Sequence, residues 1–303
     1  MPNRLPRFTE FATDEVTMFV ADPPPDLAPY ISGYYCTRIA PGHVLEDWMS
    51  PEEANLRTGV ARTYLASIGP GEPREIPPII LSGSTDKATY VRVSEGEFWG
   101  VGLTPAGWSR FIGMKASDFA NRNDDLANYP DLGALYRMFQ QVIAGGMDDV
   151  AVIRLFDATF RSLMGERPAH ESTIHAVHLA LGSGRITSSS QLASMAGMNL
   201  RTFERFCKRH FGFPPAALQR RQRFLRSLGR YMLDPSMRWI NSLDHGYSDQ
   251  AHFIREFRAV MGMAPGEYAS KKHPIVGAAI NVTNKAAGVA MQALHTPGVG
   301  SSR

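Results

Sequence analysis

Gly246-Tyr247-Ser248-Asp249-Gln250-Ala251-His252-Phe253-Ile254-Arg255-Glu256-Phe257-Arg258 decides how the last third of the chain folds. Asp249 offers a side-chain oxygen to the first free N–H groups of the helix that follows. Phe253 and Phe257, one helical turn apart, form its buried pair, and Gln250, Ile254 and Arg255 fall on the outer face. An earlier copy lies 50 residues upstream: Phe203, Arg205, Lys208, Gly212 and Pro215 recur as Phe253, Arg255, Arg258, Gly262 and Pro265. In that copy Gln191 to Ala196 read as a short helix, Gly197 as the turn and Asn199 as the cap. Leu200, Phe203 and Cys207 follow the spacing of an inward face.

Two similar capped helices close in sequence have a physical use, the reading of two neighbouring stretches of DNA. The outer face of the first displays Arg201, Thr202, Glu204, Arg205, Lys208 and Arg209. Residues in the first two turns of such a helix reach base edges in the major groove, where Arg201 and Arg205 each match guanine, Glu204 matches cytosine and Gln250 matches adenine. Arg255 suits guanine or phosphate, and Arg258 repeats Lys208. Pro215 to Leu233 reads as an Arg-rich spacer helix that holds the two readers about one turn of DNA apart, ~34 Å. Its Arg220, Arg221, Arg223, Arg226 and Arg230 are assigned to the spacer surface or to partners within the chain, and His252 to packing or hydrogen bonding at the start of its helix.

Working outward, 303 residues with 44% hydrophobic content suffice for two packed domains. The net charge of +3 hides an asymmetry: residues 1–165 carry 14 Lys/Arg against 21 Asp/Glu, and residues 173–268 carry 13 against 6. Only the second half suits a polyanion. The expected division is a sensor and dimerisation domain at 1–165, a linker at 166–172, a DNA-binding domain at 173–270 and a disordered tail at 271–303. The tail is rich in Ala, Gly, Val and Thr and shows no sustained period.

The first hundred residues read as β-rich. Tyr34 to Ile39, Ala61 to Ile68, Ile79 to Ser82, Thr89 to Val93 and Phe98 to Leu103 are short β-branched or aromatic runs set between Pro/Gly clusters, which suggests a small barrel or sandwich. Two amphipathic helices follow, from Asp131 and from Val150, as an intramolecular cap or a dimer seam. Among the aromatic residues, Tyr35, Trp48, Tyr64 and Trp99 are candidate lining for an effector pocket, with core packing as the commoner use of each. The fold class is α+β in two domains, β-rich first and all-α second.

The two helical units resemble the AraC/XylS family of bacterial transcription regulators over about 95 residues, Thr173 to Tyr268. The signatures run from Leu192-Ala193 through Gly197-Met198-Asn199-Leu200-Arg201-Thr202-Phe203 to Gly212, and from Gly246 through Phe253 and Phe257 to Gly262 and Pro265. The resemblance implies base contacts from Arg201, Glu204, Arg205, Gln250, Ala251, Ile254 and Arg255. Leu27 to Tyr35 and Phe98 to Pro105 resemble the cupin-like sensor domain of some members, which implies ligand sensing and dimerisation. One departure stands out: Asn241 and Ser242 replace the family's apolar-Ala pair and His245 replaces an aliphatic residue, with Trp239, Ile240 and Leu243 as compensation.

The expected function is therefore a transcription regulator and activator, partnered by double-stranded DNA, a small-molecule effector and a second copy of the chain, with RNA polymerase a further candidate partner. No cofactor is expected. A metal-dependent cupin-type enzyme would need several histidines, and His43 is the only one before His170. A DNA-alkyl-repair protein would need more thiols than Cys36 and Cys207. A helical protein-interaction module does not explain the arginines on the outer faces. No catalytic residue and no metal ligand is assigned. The absence of an apolar leader or an 18-residue apolar run leads to the expectation of a cytoplasmic protein without a membrane segment.

Overall fold

The computed structural model describes residues 8–186, 188–233, 244 and 246–287. Its first half is an antiparallel sheet of β1 (Phe8–Ala12), β2 (Val16–Ala21), β3 (Ile31–Met49), β4 (Asn55–Ala61), β5 (Tyr64–Ile68), β6 (Arg74–Glu75), β7 (Ile79–Ser82), β8 (Thr89–Leu103) and β9 (Asn123–Asp125). The strand order is β1-β2-β3-β8-β4-β7-β9, with β5 joining β6 to β8. The expected runs at 89–93 and 98–103 are two halves of one strand. The register of β3 on β8 shifts between Ile39 and Val44, an irregularity of the kind that bends long strands. Beyond it β8 changes partner, pairing with β5 through Thr89–Val93 and with β4 through Gly96–Gly102.

Side chains alternate across the strands and so make two apolar faces. On one, Phe19, Tyr34, Cys36, Leu56, Leu81, Trp99 and Val101 are buried. After a short helix α1 (Pro105–Gly107), this face is covered by α2 (Gly133–Ile143) and α3 (Asp149–Ser162). Leu135, Met138 and Phe139 of α2 and Val152, Ile153, Phe156 and Phe160 of α3 face inward. The two expected amphipathic helices thus cap their own sheet.

The second half comprises α4 (Glu171–Ser183), α5 (Ser189–Met195), α6 (Leu200–Phe211), α7 (Pro215–Leu233), α8 (Gln250–Met261), α9 (Pro265–Ser270) and α10 (Pro274–Ala287). The main core runs without a break from the sheet through α2 and α3 into Ile174, Val177, Leu192, Phe203 and Cys207. The junction is also ionic: Arg110 Nη1 lies 2.9 Å from Glu171 Oε2 with both side chains nearly buried, and Tyr30 donates to the other carboxylate oxygen at 2.9 Å.

The tail corrects the expectation. Residues 274–287 form a helix, and Ile275, Ala278 and Val282 pack on the second face of the sheet against Val16, Met18, Ile39, Leu45 and Val93. The segment needs no aromatic anchor, because small side chains suit a helix lying flat on strands. Asp47, fully buried, accepts the N–H groups of Ile275 and Val276 at 2.9 and 2.8 Å and pairs with His273 Nδ1 at 2.8 Å. A carboxylate at a helix N-terminus satisfies donors that the helix cannot. The expected tail at 288–303 and the departures at 239–243 and His245 lie outside the described residues.

Candidate nucleic-acid interface

In the first unit Ser188 Oγ accepts the N–H of Gln191 at 3.2 Å and starts α5. Leu192 and Ala193 turn inward. Gly197 has φ +66°, the left-handed conformation that the sequence assigned to it. Asn199 Oδ1 accepts the N–H of Thr202 at 2.9 Å and caps α6. The buried stripe of α6 is Phe203, Phe206, Cys207 and Phe211. Leu200, expected in that stripe, is exposed; it is the first residue after the cap and sits beyond the packed side of the helix.

The second unit repeats the cap and the buried stripe, but Gly246 does not take the left-handed conformation of Gly197. Asp249 Oδ1 accepts the N–H of His252 at 2.6 Å, and Phe253, Phe257, Val260 and Met261 are buried beneath α8. Burial of Asp249 is nil, yet its carboxyl is held below the usual range, first by the His252 N–H and then by Ser248. His252 meets the edge of Tyr247 with ring centroids 5.3 Å apart, in keeping with the packing use expected of it.

Arg201, Thr202, Glu204, Arg205, Lys208 and Arg209 are all exposed on α6, and Gln250, Ala251, Arg255 and Arg258 on α8. Ile254 is half-buried and packs partly against the core of its own unit. Thus each helix presents a polar outer face whose first turns are open to a partner.

Three spacer arginines hold partners within the chain. Arg223 Nη2 reaches Glu256 at 2.5 Å, Arg226 Nε reaches Asp244 at 2.7 Å and Arg220 Nη2 reaches Asp86 at 3.5 Å. Glu256 is buried and also accepts from the Tyr247 hydroxyl at 2.5 Å. Sequence reasoning missed this network, in which Arg223 of α7 fixes α8 through a carboxylate on its inward side. The signal available was a charged residue beside Phe257 on the buried side of an otherwise apolar stripe.

The four aromatic candidates of the first half do not converge. Tyr35 accepts from Arg57 Nε at 2.6 Å and donates to Asn55 Oδ1 at 3.0 Å, and Arg57 Nη2 reaches Glu52 at 2.5 Å. Burial, the largest effect, pushes the Tyr35 phenol up to about 12 against the opposing pull of Arg57. Burial, the largest effect, raises the Tyr64 phenol as well, against the opposing charge of Arg57. Trp48 instead packs with Tyr90 and beneath Lys271. Trp99 lies on the opposite face between Phe19 and Phe156. Among the described residues no group of three or more His, Cys, Asp or Glu is placed to hold a metal ion, and no helix is long and apolar enough to cross a membrane.

Residues 192–271 match the family described as helix-turn-helix domain. No curated protein matches the chain. Among solved structures, ToxT from Vibrio cholerae is similar at a TM-score of 0.41 and 12% identity, over 87% of this chain and 97% of that one. ToxT from the same organism bound to unsaturated fatty acid gives 0.40 and 10%, over 88% and 94%. The AraC-like transcriptional activator CuxR gives 0.22 and 11%, over 71% and 78%. The matched segment spans both capped helices and the spacer between them. Residues 192–271, which hold both capped helices, are thus a helix-turn-helix domain.

Proposed function

We propose that the chain reads two adjacent stretches of duplex DNA with α6 and α8 and adjusts that reading to a small-molecule effector bound by its β half. The observation that supports the DNA reading is the pair of capped helices with exposed arginines within their first two turns. Arg201, Glu204 and Arg205 contact bases from α6, with Thr202, Lys208 and Arg209 nearby for phosphate. From α8, Gln250, Ala251, Ile254 and Arg255 contact bases and Arg258 contacts phosphate. Because part of Ile254 is taken up by its own core, we assign it only a marginal contact with a thymine methyl. Phosphate neutralisation supplies most of the affinity, so binding falls with salt.

For the effector we retain Tyr35 and Tyr64, which share the environment of Arg57, and assign Trp48 and Trp99 to packing. A homodimer, contact with RNA polymerase, an activating role, a cytoplasmic location and the division into 1–165, 166–172 and 173–270 complete the reading. We take the chain to be non-catalytic.

The test is Arg205→Ala in a gel-shift series on operator and single-base variants. Specific binding weakens by about 1–3 kcal/mol and selectivity relaxes at one guanine. Unchanged affinity and selectivity would remove Arg205 from the set of readers.

A further inference from the structure

The segment joining β7 to β8 touches both helix-turn-helix units and the spacer within five residues. Ser84 Oγ donates to the carbonyl of Phe211, at the end of α6, at 2.9 Å. Asp86 pairs with Arg220 of α7 at 3.5 Å. Lys87 Nζ donates to the carbonyl of Ala259 and the Ala88 N–H to that of Val260, both near the end of α8, at 2.7 and 2.8 Å. Ala88 is itself buried in the core of the second unit, beside Phe224, Phe253 and Phe257. The first contact is tight: a Cβ on Gly212, which has φ +87°, would lie 2.6 Å from Ser84 Oγ.

The same segment is braced from behind. Asn121 exchanges hydrogen bonds with Asp86, receiving from its N–H at 3.0 Å and donating to its carboxylate at 2.9 Å. Thr85 and Glu52 exchange another pair: the Thr85 N–H donates to the Glu52 carbonyl at 2.9 Å and the Glu52 N–H to Thr85 Oγ1 at 2.8 Å. Four residue steps span at most about 14 Å, so the last-turn carbonyls of the two recognition helices are held within roughly 20 Å of each other by one short, fixed piece of chain.

We propose that Ser84–Ala88 is a ruler that sets the separation of the two recognition helices and therefore the spacing of half-sites that the protein accepts. Ser84, Lys87 and Ala88 are positioning residues, which touch no DNA themselves. They grip the C-terminal ends of α6 and α8 and leave the exposed first turns free. The inference rests on the DNA reading proposed above.

The experiment uses the full chain to select bound molecules from a pool of random duplexes, and reads which half-site motifs are enriched and how far apart they lie. Two variants are compared with the unaltered protein: the double substitution Ser84→Ala, Lys87→Ala, and a single glycine inserted between Asp86 and Lys87. The unaltered protein enriches two motifs at one dominant spacing. Cutting the side-chain ties keeps both motifs but spreads the spacing to neighbouring values, with the preference over a one-base-pair change falling about threefold or more. The inserted residue adds up to about 3.5 Å and moves the preferred spacing by one base pair. One unchanged spacing in both variants overturns the proposal. Loss of either motif also overturns it, since the segment would then be needed to keep a reader folded. An unaltered protein that enriches no two-part motif contradicts the DNA reading itself and takes the ruler with it.

Discussion

Glu256 shows how much a single inward charge can govern. Its carboxylate holds Arg223 of the spacer and the Tyr247 hydroxyl, so α8 is fixed in direction as well as in depth. Replacing Glu256 with Ala leaves two donors without their acceptor. The expected loss is about 2–3 kcal/mol, below the ~3–5 kcal/mol for breaking a fully buried pair because Arg223 keeps some contact with water. Chemical denaturation of the full chain checks this, and a change under about 0.5 kcal/mol, the size of an ordinary surface substitution, would show that the network contributes nothing to docking α8. Asn199, Gly197, Phe203 and Asp249 were legible in the sequence because caps, left-handed turns and helical stripes are local properties. Glu256 was not. Its role depends on Arg223, 33 residues away in the chain, and no local period encodes that pairing.

At the scale of elements, α10 exchanges solvent for the second face of the sheet. Ile275, Ala278 and Val282 are buried there, Val276 and Ile280 are buried elsewhere on the helix, and Asp47 loses its helix donors if the helix departs. Ending the chain after Lys272 should lower stability by at least about 3 kcal/mol, taking ~1.5–3 kcal/mol for each large buried side chain and discounting generously. It should also create binding of a hydrophobic dye; an unchanged melting curve without dye binding would contradict the packing. The docking carries a pH dependence. Burial lowers the His273 pKa, but the Asp47 carboxylate and the Tyr268 carbonyl together outweigh it and leave the value raised. Its contribution is present in full below the ordinary histidine value and is lost as pH rises through the raised one. Parts of β3, β5, β7 and β8, and the helices α2, α3 and α5 to α8, were readable as elements from their periods and caps, whereas β1, β2, β4, β6 and β9 were not. The helix at 274–287 was not, since Ala, Gly and Val at those positions give a weak period and the partner face, Val16 to Val93, lies far upstream.

For the whole molecule, the two halves share a core and a set of polar ties, so they should open together under acid. Burial, the largest effect, followed by Arg209, pushes His210 down to about 4, while its Nδ1 pairs with Ser109 at 2.8 Å across the junction. Between about 6.5 and about 4 the opened state binds a proton that the closed state refuses, so falling pH favours opening over that window. Melting temperatures across pH 4 to 7 should show a decline that His210→Gln reduces, and parallel curves for the two proteins would rule His210 out as its source.

The change of charge near residue 165 suggested a division of the chain, but nothing in Ser84–Ala88 distinguishes it from a turn, so its grip on both α6 and α8 was not legible. In the proposed complex α6 and α8 read one face of the duplex together. This joint reading is tested most directly by guanine-N7 methylation interference on a selected operator bound by the full chain. The account predicts two clusters of interfering guanines on the same face, about 10 base pairs apart. A single cluster, or two clusters on opposite faces, would contradict it.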